Sequence, residues 1–133
     1  GENPAQAKRP IGFSFAEILI KDGLDSAKAF YKTTKDDSTQ NKYFLWQEDD
    51  GALTYPGYLF LDQKMYPEAL EVFKFNVEVN PKSGWALGHL GVSYASMGNK
   101  DLARMNLNQA IELIPTEEYF KEELKKLDEK PIP

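Results

Sequence analysis

The 133-residue sequence contains no cysteine and only one histidine. Without cysteine there is no disulfide framework, thiolate nucleophile or cysteine metal site, and a lone His89 excludes metal motifs built on two histidines. No apolar run reaches the roughly 18 to 20 residues that cross a bilayer, so no membrane insertion is predicted. Acidic residues outnumber basic ones by 21 to 16, and the net charge of -5 argues against nucleic acid and favours basic or apolar partners.

Sequence motifs of catalysis are also missing. The chain has no Gly-x-Ser-x-Gly elbow, no phosphate-cradling loop and no dinucleotide fingerprint. An enzyme would need His89 in a deep pocket with a carboxylate in hydrogen-bond reach. We therefore predict that the chain is not an enzyme and that it uses no cofactor and no metal.

Apolar and aromatic residues are plentiful. Hydrophobic residues make up 41% of the chain and include eight phenylalanines, seven tyrosines and two tryptophans, which is far from the composition of a disordered segment. A chain of this length suits one domain with its own core. We predict a single helical domain over residues 14–130, preceded by a disordered or artificial N-terminal segment at residues 1–13.

Two stretches of the chain repeat each other at a distance of 34 residues. The matching residues are Gly57, Ala69, Phe73 and Pro81, which recur as Gly91, Ala103, Leu107 and Pro115. A period of this length is typical of helix-turn-helix repeats, which stack around one continuous core. We predict an all-α fold with two helical hairpins at about residues 50–83 and 84–117.

A further helical hairpin is predicted at the N-terminus, outside the strict period. Ser14 and Glu17 have the spacing of a capping box, so the first helix is predicted from about Phe15 to Asp22. Asp25 is the predicted cap of the second helix. This hairpin is either a degenerate repeat or a cap for the array.

The first of the two repeats contains an unusual proline. Its first helix is predicted from about Gly51 to Gln63, and Pro56 inside it predicts a kink or a late start. Its second helix is predicted to begin near Pro67. The preceding aromatic cluster at residues 43–46 is predicted to pack against the first of these helices.

Start signals are clearer in the second repeat. Ser83 and Asn99 are the predicted caps of its two helices. A last helix is predicted to begin at Thr116, with one apolar and one charged side. Such a helix would shield the end of a stacked array from water.

The second copy reads Leu87-x-x-Leu90-Gly91-x-x-Tyr94, followed by Ala103, Leu107, Ala110 and Pro115, and this pattern resembles the tetratricopeptide-repeat (TPR) family. The resemblance implies a TPR-like α-α superhelix, in which two TPR hairpins are flanked by an N-terminal helical hairpin and a C-terminal capping helix. It also implies that the first helix of each hairpin lines a groove for an extended or helical peptide. The groove residues implied by the register are Tyr55, Tyr58, Asp62, Trp85, His89, Val92 and Ser96.

An alternative gives the aromatic groove residues a structural role. If the N-terminal hairpin folds over the groove, Tyr55, Tyr58 and Trp85 become ordinary core. The sequence leaves both alternatives open.

A second resemblance concerns the arrangement over residues 14–115. Together with the segment Phe73-Lys74-Phe75-Asn76-Val77-Glu78, it is similar to the helical TPR-like C-terminal appendage of some bacterial serine hydrolases related to β-lactamases and esterases. This resemblance implies an accessory domain whose catalytic partner lies upstream, and it favours an extracytoplasmic over a cytoplasmic location. We therefore predict a non-catalytic scaffold that binds a protein or peptide, with the accessory hydrolase domain as the alternative.

Overall fold

A computed structural model describes residues 9–36, 43–44 and 51–129 of the chain. Its helices are α1 (Ile11–Asp22), α2 (Leu24–Asp36), α3 (Gly51–Asp62), α4 (Tyr66–Val79), α5 (Gly84–Ser96), α6 (Lys100–Leu113) and α7 (Glu118–Lys126). Helices adjacent in sequence pack as the pairs α1–α2, α3–α4 and α5–α6, and α7 packs on α6. The predicted all-α fold is confirmed. One addition is a two-residue parallel pairing of β1 (Arg9–Pro10) with β2 (Tyr43–Phe44).

In each repeat the two helices cross at the glycine that recurs with the 34-residue period. An ideal Cβ at Gly57 would lie 2.7 Å from the ring of Phe73, and one at Gly91 would lie 2.8 Å from Leu107 Cγ. Both distances are too short for a real side chain, so glycine lets the paired helices approach each other. Phe73 and Leu107 are fully buried at these crossings.

Pro56 lies inside α3 without delaying its start, so the late start is wrong, and the kink, the other predicted outcome, stays a prediction. Proline removes one amide donor, the one that would bond the carbonyl of Ala52 four residues earlier. Gly12 of α1 packs at this carbonyl, because an ideal Cβ at Gly12 would overlap the Ala52 oxygen and would lie 3.0 Å from Pro56 Cδ. The helix therefore loses a single bond, and a neighbouring helix covers the group that is left.

The N-terminal hairpin extends the stack by a third pair of helices. Phe75 of α4 stacks on Phe15 of α1, with ring centroids 5.5 Å apart, and meets the edge of Tyr31 of α2 at the same distance. Lys28 of α2 pairs with Glu78 of α4 at 3.4 Å. Because α1 packs on α3 and these contacts join α2 to α4, the hairpin lies beside the first repeat.

Three predicted helix starts differ from the structure. The first is α1, which begins at Ile11 because its buried stripe extends one turn upstream; Ser14 is therefore inside the helix and only 8% exposed. The second is α2, which begins at Leu24, so Asp25 lies in its first turn instead of capping it. The third is the last helix, α7, which begins at Glu118 and not at Thr116; Glu117 caps it by accepting a hydrogen bond from the amide of Tyr119 at 3.1 Å.

The two predicted caps of the second repeat are confirmed. Ser83 Oγ accepts a hydrogen bond from the amide of Ala86 at 3.0 Å, and Asn99 Oδ1 accepts one from the amide of Leu102 at 3.3 Å. Pro67 lies in the first turn of α4, as predicted. Helix α3 ends at Asp62, one residue before the predicted end.

Some predictions fall outside the described residues. They concern the N-terminal segment up to residue 8 and the side chains of the aromatic cluster at residues 43–46. The single-domain boundaries of 14–130 also stay a prediction, although α1 begins three residues before them. Among the described residues, no helix combines the length and apolar character needed to span a membrane.

Candidate functional site

The first helix of each pair contributes to a shared surface, which α7 continues. Contacts run from α1 to α3, from α3 to α5 and from α5 to α7. We call this surface the A-helix face and define it by its aromatic residues and the charged groups beside them. They are Phe13, Tyr55, Tyr58, Trp85, His89 and Tyr119, with Asp62 and Glu123.

Tyr58 and His89 form the centre of the A-helix face. The Tyr58 hydroxyl lies 2.7 Å from Nδ1 of His89, and the two rings meet edge to face with centroids 5.2 Å apart. A neutral histidine with its proton on Nε2 accepts this bond at Nδ1. The other side of Tyr58 packs on the ring of Phe73 at 5.1 Å. This contact connects the face to the core of the first repeat.

The Tyr58 hydroxyl is held in its neutral form. Burial is the main cause that raises the pKa of Tyr58 far above the usual 10.0, and interactions with Tyr119, Glu123 and Asp62 raise it further. Because the folded-state pKa is raised, this group's contribution to stability is complete below about pH 10 and is lost as the pH rises through the folded-state value. At neutral pH, Tyr58 is therefore a stable hydrogen-bonding group.

Helix α7 covers part of α5 through Phe120. Its buried ring lies 5.3 Å from the ring of Trp85 and 5.5 Å from that of His89. A Cβ at Gly88 would overlap the same ring, so a glycine is needed at this position on α5. Tyr119 precedes Phe120 and is one of the groups that raise the pKa of Tyr58. The contacts of Phe120 therefore hold α7 against α5.

The structure brings three of the predicted groove residues together and separates others. Tyr58, His89 and Trp85 form one cluster, in which the Trp85 and His89 rings are 5.9 Å apart. Tyr55 belongs instead to a contact with Phe13 of α1, at 5.1 Å between ring centroids.

The remaining predicted groove residues differ in exposure. Asp62 and Ser96 are exposed at the ends of α3 and α5. Val92 is only 7% exposed and belongs to the core. Valine occupies the repeat position of Tyr58, since 92 − 58 = 34, but it has no polar group to bond a neighbouring helix.

The alternative in which the N-terminal hairpin covers the aromatic residues describes only one of them. Tyr55 contacts Phe13 of that hairpin and remains 48% exposed. The contacts of Tyr58 and Trp85 come from α4, α5 and α7. Helix α7, and not the N-terminal hairpin, covers part of the A-helix face, through the contacts of Phe120 with Trp85 and His89.

Sequence reasoning missed several residues of this face. Tyr119 follows Trp85 by one period, since 119 − 85 = 34, and Glu123 follows His89 in the same way, since 123 − 89 = 34. Continuing the period into the last helix would therefore have identified both. Phe13 lies before the periodic part of the chain and has no such signal.

Comparison with known proteins bears on the fold. Among solved structures the chain is similar to the first TPR domain of Spaghetti (RPAP3) bound to the HSP90 peptide SRMEEVD, with a TM-score of 0.56. The match covers 88% of this chain and 86% of that chain at 16% sequence identity. The fold is TPR-like. At this level of identity the similarity concerns the fold alone.

The TPR-like fold confirms the resemblance to the TPR family that the 34-residue repeat pattern indicated. No protein-family model matches the sequence, and the comparison with curated proteins gives no match. The similarity to hydrolase appendages, the bacterial source and the extracytoplasmic location have no support from these comparisons. They stay predictions of the sequence alone.

Proposed function

We propose that the chain is a non-catalytic TPR-like scaffold that binds a protein or peptide segment on its A-helix face. The observation that carries this proposal is the exposure of three aromatic side chains there: Tyr55 at 48%, Trp85 at 37% and Tyr119 at 40%. Aromatic residues offer a large contact area at a small entropic cost and are enriched in interface hot spots. The similar solved TPR domain was determined with a peptide bound, which supports a binding role for this fold.

The A-helix face is also well ordered for binding. The hydrogen bond between Tyr58 and His89 joins α3 to α5, and Phe120 fits against Gly88 to join α5 to α7. A surface whose side chains are already fixed loses little conformational entropy when a partner binds. The exposed rings of Trp85 and Tyr119 border this fixed cluster and are suited to act as anchors.

The contacts of His89 favour binding over catalysis. A histidine that acts as a general base needs a free nitrogen directed at a substrate and a partner that orients it. Here the Tyr58 hydroxyl, which its raised pKa keeps protonated, donates to Nδ1, and the proton of the neutral imidazole then lies on Nε2, so neither ring nitrogen offers a free lone pair to a substrate. TPR-like folds typically serve as binding modules, which supports the same conclusion.

A displayed library of random peptides tests the proposal. Selection on the wild-type protein is followed by binding assays with two double variants. One removes exposed aromatic side chains of the A-helix face, Tyr55→Ala with Trp85→Ala. The matched control removes exposed apolar side chains of α6, Met105→Ala with Leu113→Ala, which are 54% and 49% exposed.

We expect selected peptides to lose at least about tenfold in affinity for the first variant, as is usual for aromatic hot spots, and to retain their affinity for the control. Circular dichroism and urea unfolding would show that both variants remain folded. Peptides that bind all three proteins equally, or that lose affinity only for the α6 variant, would contradict the proposal.

A further inference from the structure

The turns inside the three helical pairs share one backbone feature. Each contains a residue with positive φ: Gly23 at 95°, Lys64 at 61° and Gly98 at 83°. Gly98 follows Lys64 by one period, since 98 − 64 = 34, whereas Lys64 follows Gly23 by a longer distance, since 64 − 23 = 41. The N-terminal hairpin therefore matches the repeats at a distance that a search for a strict period misses.

Buried positions match at the same distance. Ala16 of α1 precedes Gly57 of α3 by 41 residues, since 57 − 16 = 41, and both are buried. In the second helices the distance is one residue longer, since 69 − 27 = 42, because the turn at Gly23 is one residue shorter. The matched residues there are at most 1% exposed in all three pairs, and they are Ala27, Ala69 and Ala103 at one position and Tyr31, Phe73 and Leu107 at the next. These matches favour a degenerate repeat over a separate cap for the N-terminal hairpin.

The longer distance assigns one side of α1 to the A-helix face. Glu17 is the counterpart of Tyr58 at the centre of that face, since 58 − 41 = 17. Phe13 and Ile20 lie one turn before and one turn after Glu17, so all three are on the same side of α1. We call Phe13, Glu17 and Ile20 the α1 strip. It is continuous with the A-helix face because Phe13 contacts Tyr55 at 5.1 Å between ring centroids.

The α1 strip offers two apolar contact points. One is the pair of Phe13 and Tyr55, in which Tyr55 is 48% exposed. The other is Ile20, which at 63% is the most exposed large apolar side chain among the described residues. Seven residues separate Phe13 from Ile20, which corresponds to about 10 Å along a helix. Burying either point under an apolar side chain would remove apolar surface from water and so favour binding.

Charged residues are concentrated away from the first helices of the three pairs. Counting Asp, Glu, Lys and Arg, α1 contains three, α3 one and α5 none, whereas α2 contains five, α4 four and α6 four. Beside Ile20 the charged residues are Glu17 and Lys21, which have opposite signs. A charged side chain bound here would find few groups of opposite sign to replace its hydration, whereas an apolar side chain would desolvate few charges.

We propose that the α1 strip is a further contact site for the segment bound on the A-helix face, and that it takes uncharged apolar side chains. The inference rests on the proposed function and adds the chemistry of the partner. The bound segment places one apolar side chain at the pair of Phe13 and Tyr55 and another at Ile20. Because apolar contacts are not screened by ions, the contribution of Ile20 to binding does not depend on salt.

Peptides from the displayed library that depend on Tyr55 and Trp85 are the probes. Their affinities are measured for Ile20→Ala and Ile20→Asp of the full chain, and for the matched controls Met105→Ala and Met105→Asp on α6, where the side chain is 54% exposed. We expect a loss of about threefold to tenfold for Ile20→Ala, which removes apolar contact, and of at least about tenfold for Ile20→Asp, which adds a charge. Both controls should change the affinity less than about twofold. Urea unfolding would show that all four variants remain folded.

A double-mutant cycle then identifies the peptide residue that Ile20 contacts. Each residue of a selected peptide is replaced in turn by alanine. At one apolar position, the alanine peptide should bind the wild type and Ile20→Ala equally within about twofold, because the contact is already absent. Glutamate or lysine at this position should each weaken binding to the wild type. The loss caused by Ile20→Ala should be the same at about 50 mM and about 500 mM salt.

The outcomes separate the two proposals. If peptides depend on Tyr55 and Trp85 but bind both Ile20 variants as tightly as the wild type, the proposed function holds and the inference about the α1 strip is wrong. The same applies if no peptide residue, or a charged one, is coupled to Ile20. Sedimentation equilibrium in which Ile20→Asp abolishes self-association of the wild type would show that a second copy covers the strip, which also contradicts the inference. If no peptide depends on Tyr55 and Trp85, the proposed function fails, and the inference fails with it.

Discussion

The two central helices, α3 and α5, occupy equivalent places in the two repeats, but they differ in which helix supplies the glycine at the contact with the neighbouring helix. On α3, Pro56 leaves the Ala52 carbonyl without its helical donor, and the glycine that allows close packing, Gly12, is supplied by α1. On α5 the glycine is its own, Gly88, and the neighbouring helix supplies a phenylalanine. Close contact between neighbouring helices is therefore reached at α3 by a glycine on the neighbouring helix and at α5 by a glycine on the central helix itself.

This difference matters for the candidate site. At the α5 side, the ring of Phe120 that fills the space over Gly88 also supports Trp85 and His89. At the α3 side, close contact occurs between backbones, and Tyr55 remains largely exposed beside Phe13. The C-terminal side of the A-helix face is thus a packed aromatic cluster, and its N-terminal side is a more open pair of rings.

The largest expected effect compares the buried side chains at the two helix crossings. Phe73→Ala should lower the free energy of unfolding by about 4 kcal/mol, and Leu107→Ala by about 3 kcal/mol, because each leaves a cavity at a fully buried position. Phe73 also supports Tyr58, with ring centroids 5.1 Å apart, so it should cost more. Urea unfolding followed by circular dichroism measures both.

The exposed Leu113→Ala serves as the control for this comparison and should change the free energy by less than about 0.5 kcal/mol. If Leu107→Ala costs clearly more than Phe73→Ala, the prediction that Phe73 adds stability through its contact with Tyr58 is contradicted. The link between Phe73 and the A-helix face would then be structurally unimportant.

The sequence predicted this core well for a physical reason. Gly57 and Phe73 recur as Gly91 and Leu107 because the two helices of a repeat can approach only where one of them lacks a side chain. That requirement is local to each hairpin, so a period in the sequence shows it. The confirmed caps, Ser83 and Asn99, are local as well, since each bonds an amide three residues later.

Contacts between hairpins were harder to predict. The pattern at Ser14 has the spacing of a capping box, yet the helix begins one turn earlier, at Ile11. Ile11 and Phe15 are both fully buried, and this tertiary packing outweighs the local preference for a cap at Ser14. Val92 was assigned to the groove by register alone, but its side chain is only 7% exposed, because register gives a residue's place on a helix and not how far neighbouring helices bury it. The fit of Phe120 over Gly88 depends on how two repeats stack, which no single repeat encodes.

The next largest effects should come from the two glycines between hairpins. Gly12→Ala and Gly88→Ala should each cost about 1 to 3 kcal/mol, since the added methyl group overlaps its neighbour in both cases. The neighbour at Gly88 is a side chain, so adding Phe120→Leu to Gly88→Ala should recover part of the loss. The neighbour at Gly12 is the Ala52 carbonyl, so adding Pro56→Ala to Gly12→Ala should recover less.

Free energies of unfolding for the single and double variants give two coupling energies, and their difference is the measurement. Equal recovery in both pairs would show that the two stacking contacts are of the same kind. This result would contradict the contrast between the backbone contact at α3 and the side-chain contact at α5.

A smaller effect is expected at the helix starts. Asn99→Ala and Ser83→Ala should each lower the free energy of unfolding by about 1 kcal/mol, because an amide in the first turn loses its acceptor. Asn99→Ser keeps a side-chain acceptor and is the control. In the first repeat, Pro67→Ala should cost only about 0.4 to 1 kcal/mol, since Pro67 acts mainly by restricting the unfolded chain. A Pro67→Ala cost well above that of Asn99→Ala would reverse this ranking.

The smallest effect compares the ion pairs that join neighbouring hairpins. Arg104 of α6 and Asp128, in the turn after α7, approach to 3.1 Å, and Lys28 of α2 and Glu78 of α4 approach to 3.4 Å. Asp128 and Glu78 are 69% and 52% exposed, so Asp128→Asn and Glu78→Gln should each cost only about 0.2 to 1 kcal/mol and less in high salt. A loss above about 2 kcal/mol for Asp128→Asn would mean that this pair, and not Phe120 against Gly88, holds α7 on the array. The A-helix face would then owe its C-terminal half to a charge contact, and its peptide affinity should fall with salt even for an uncharged peptide.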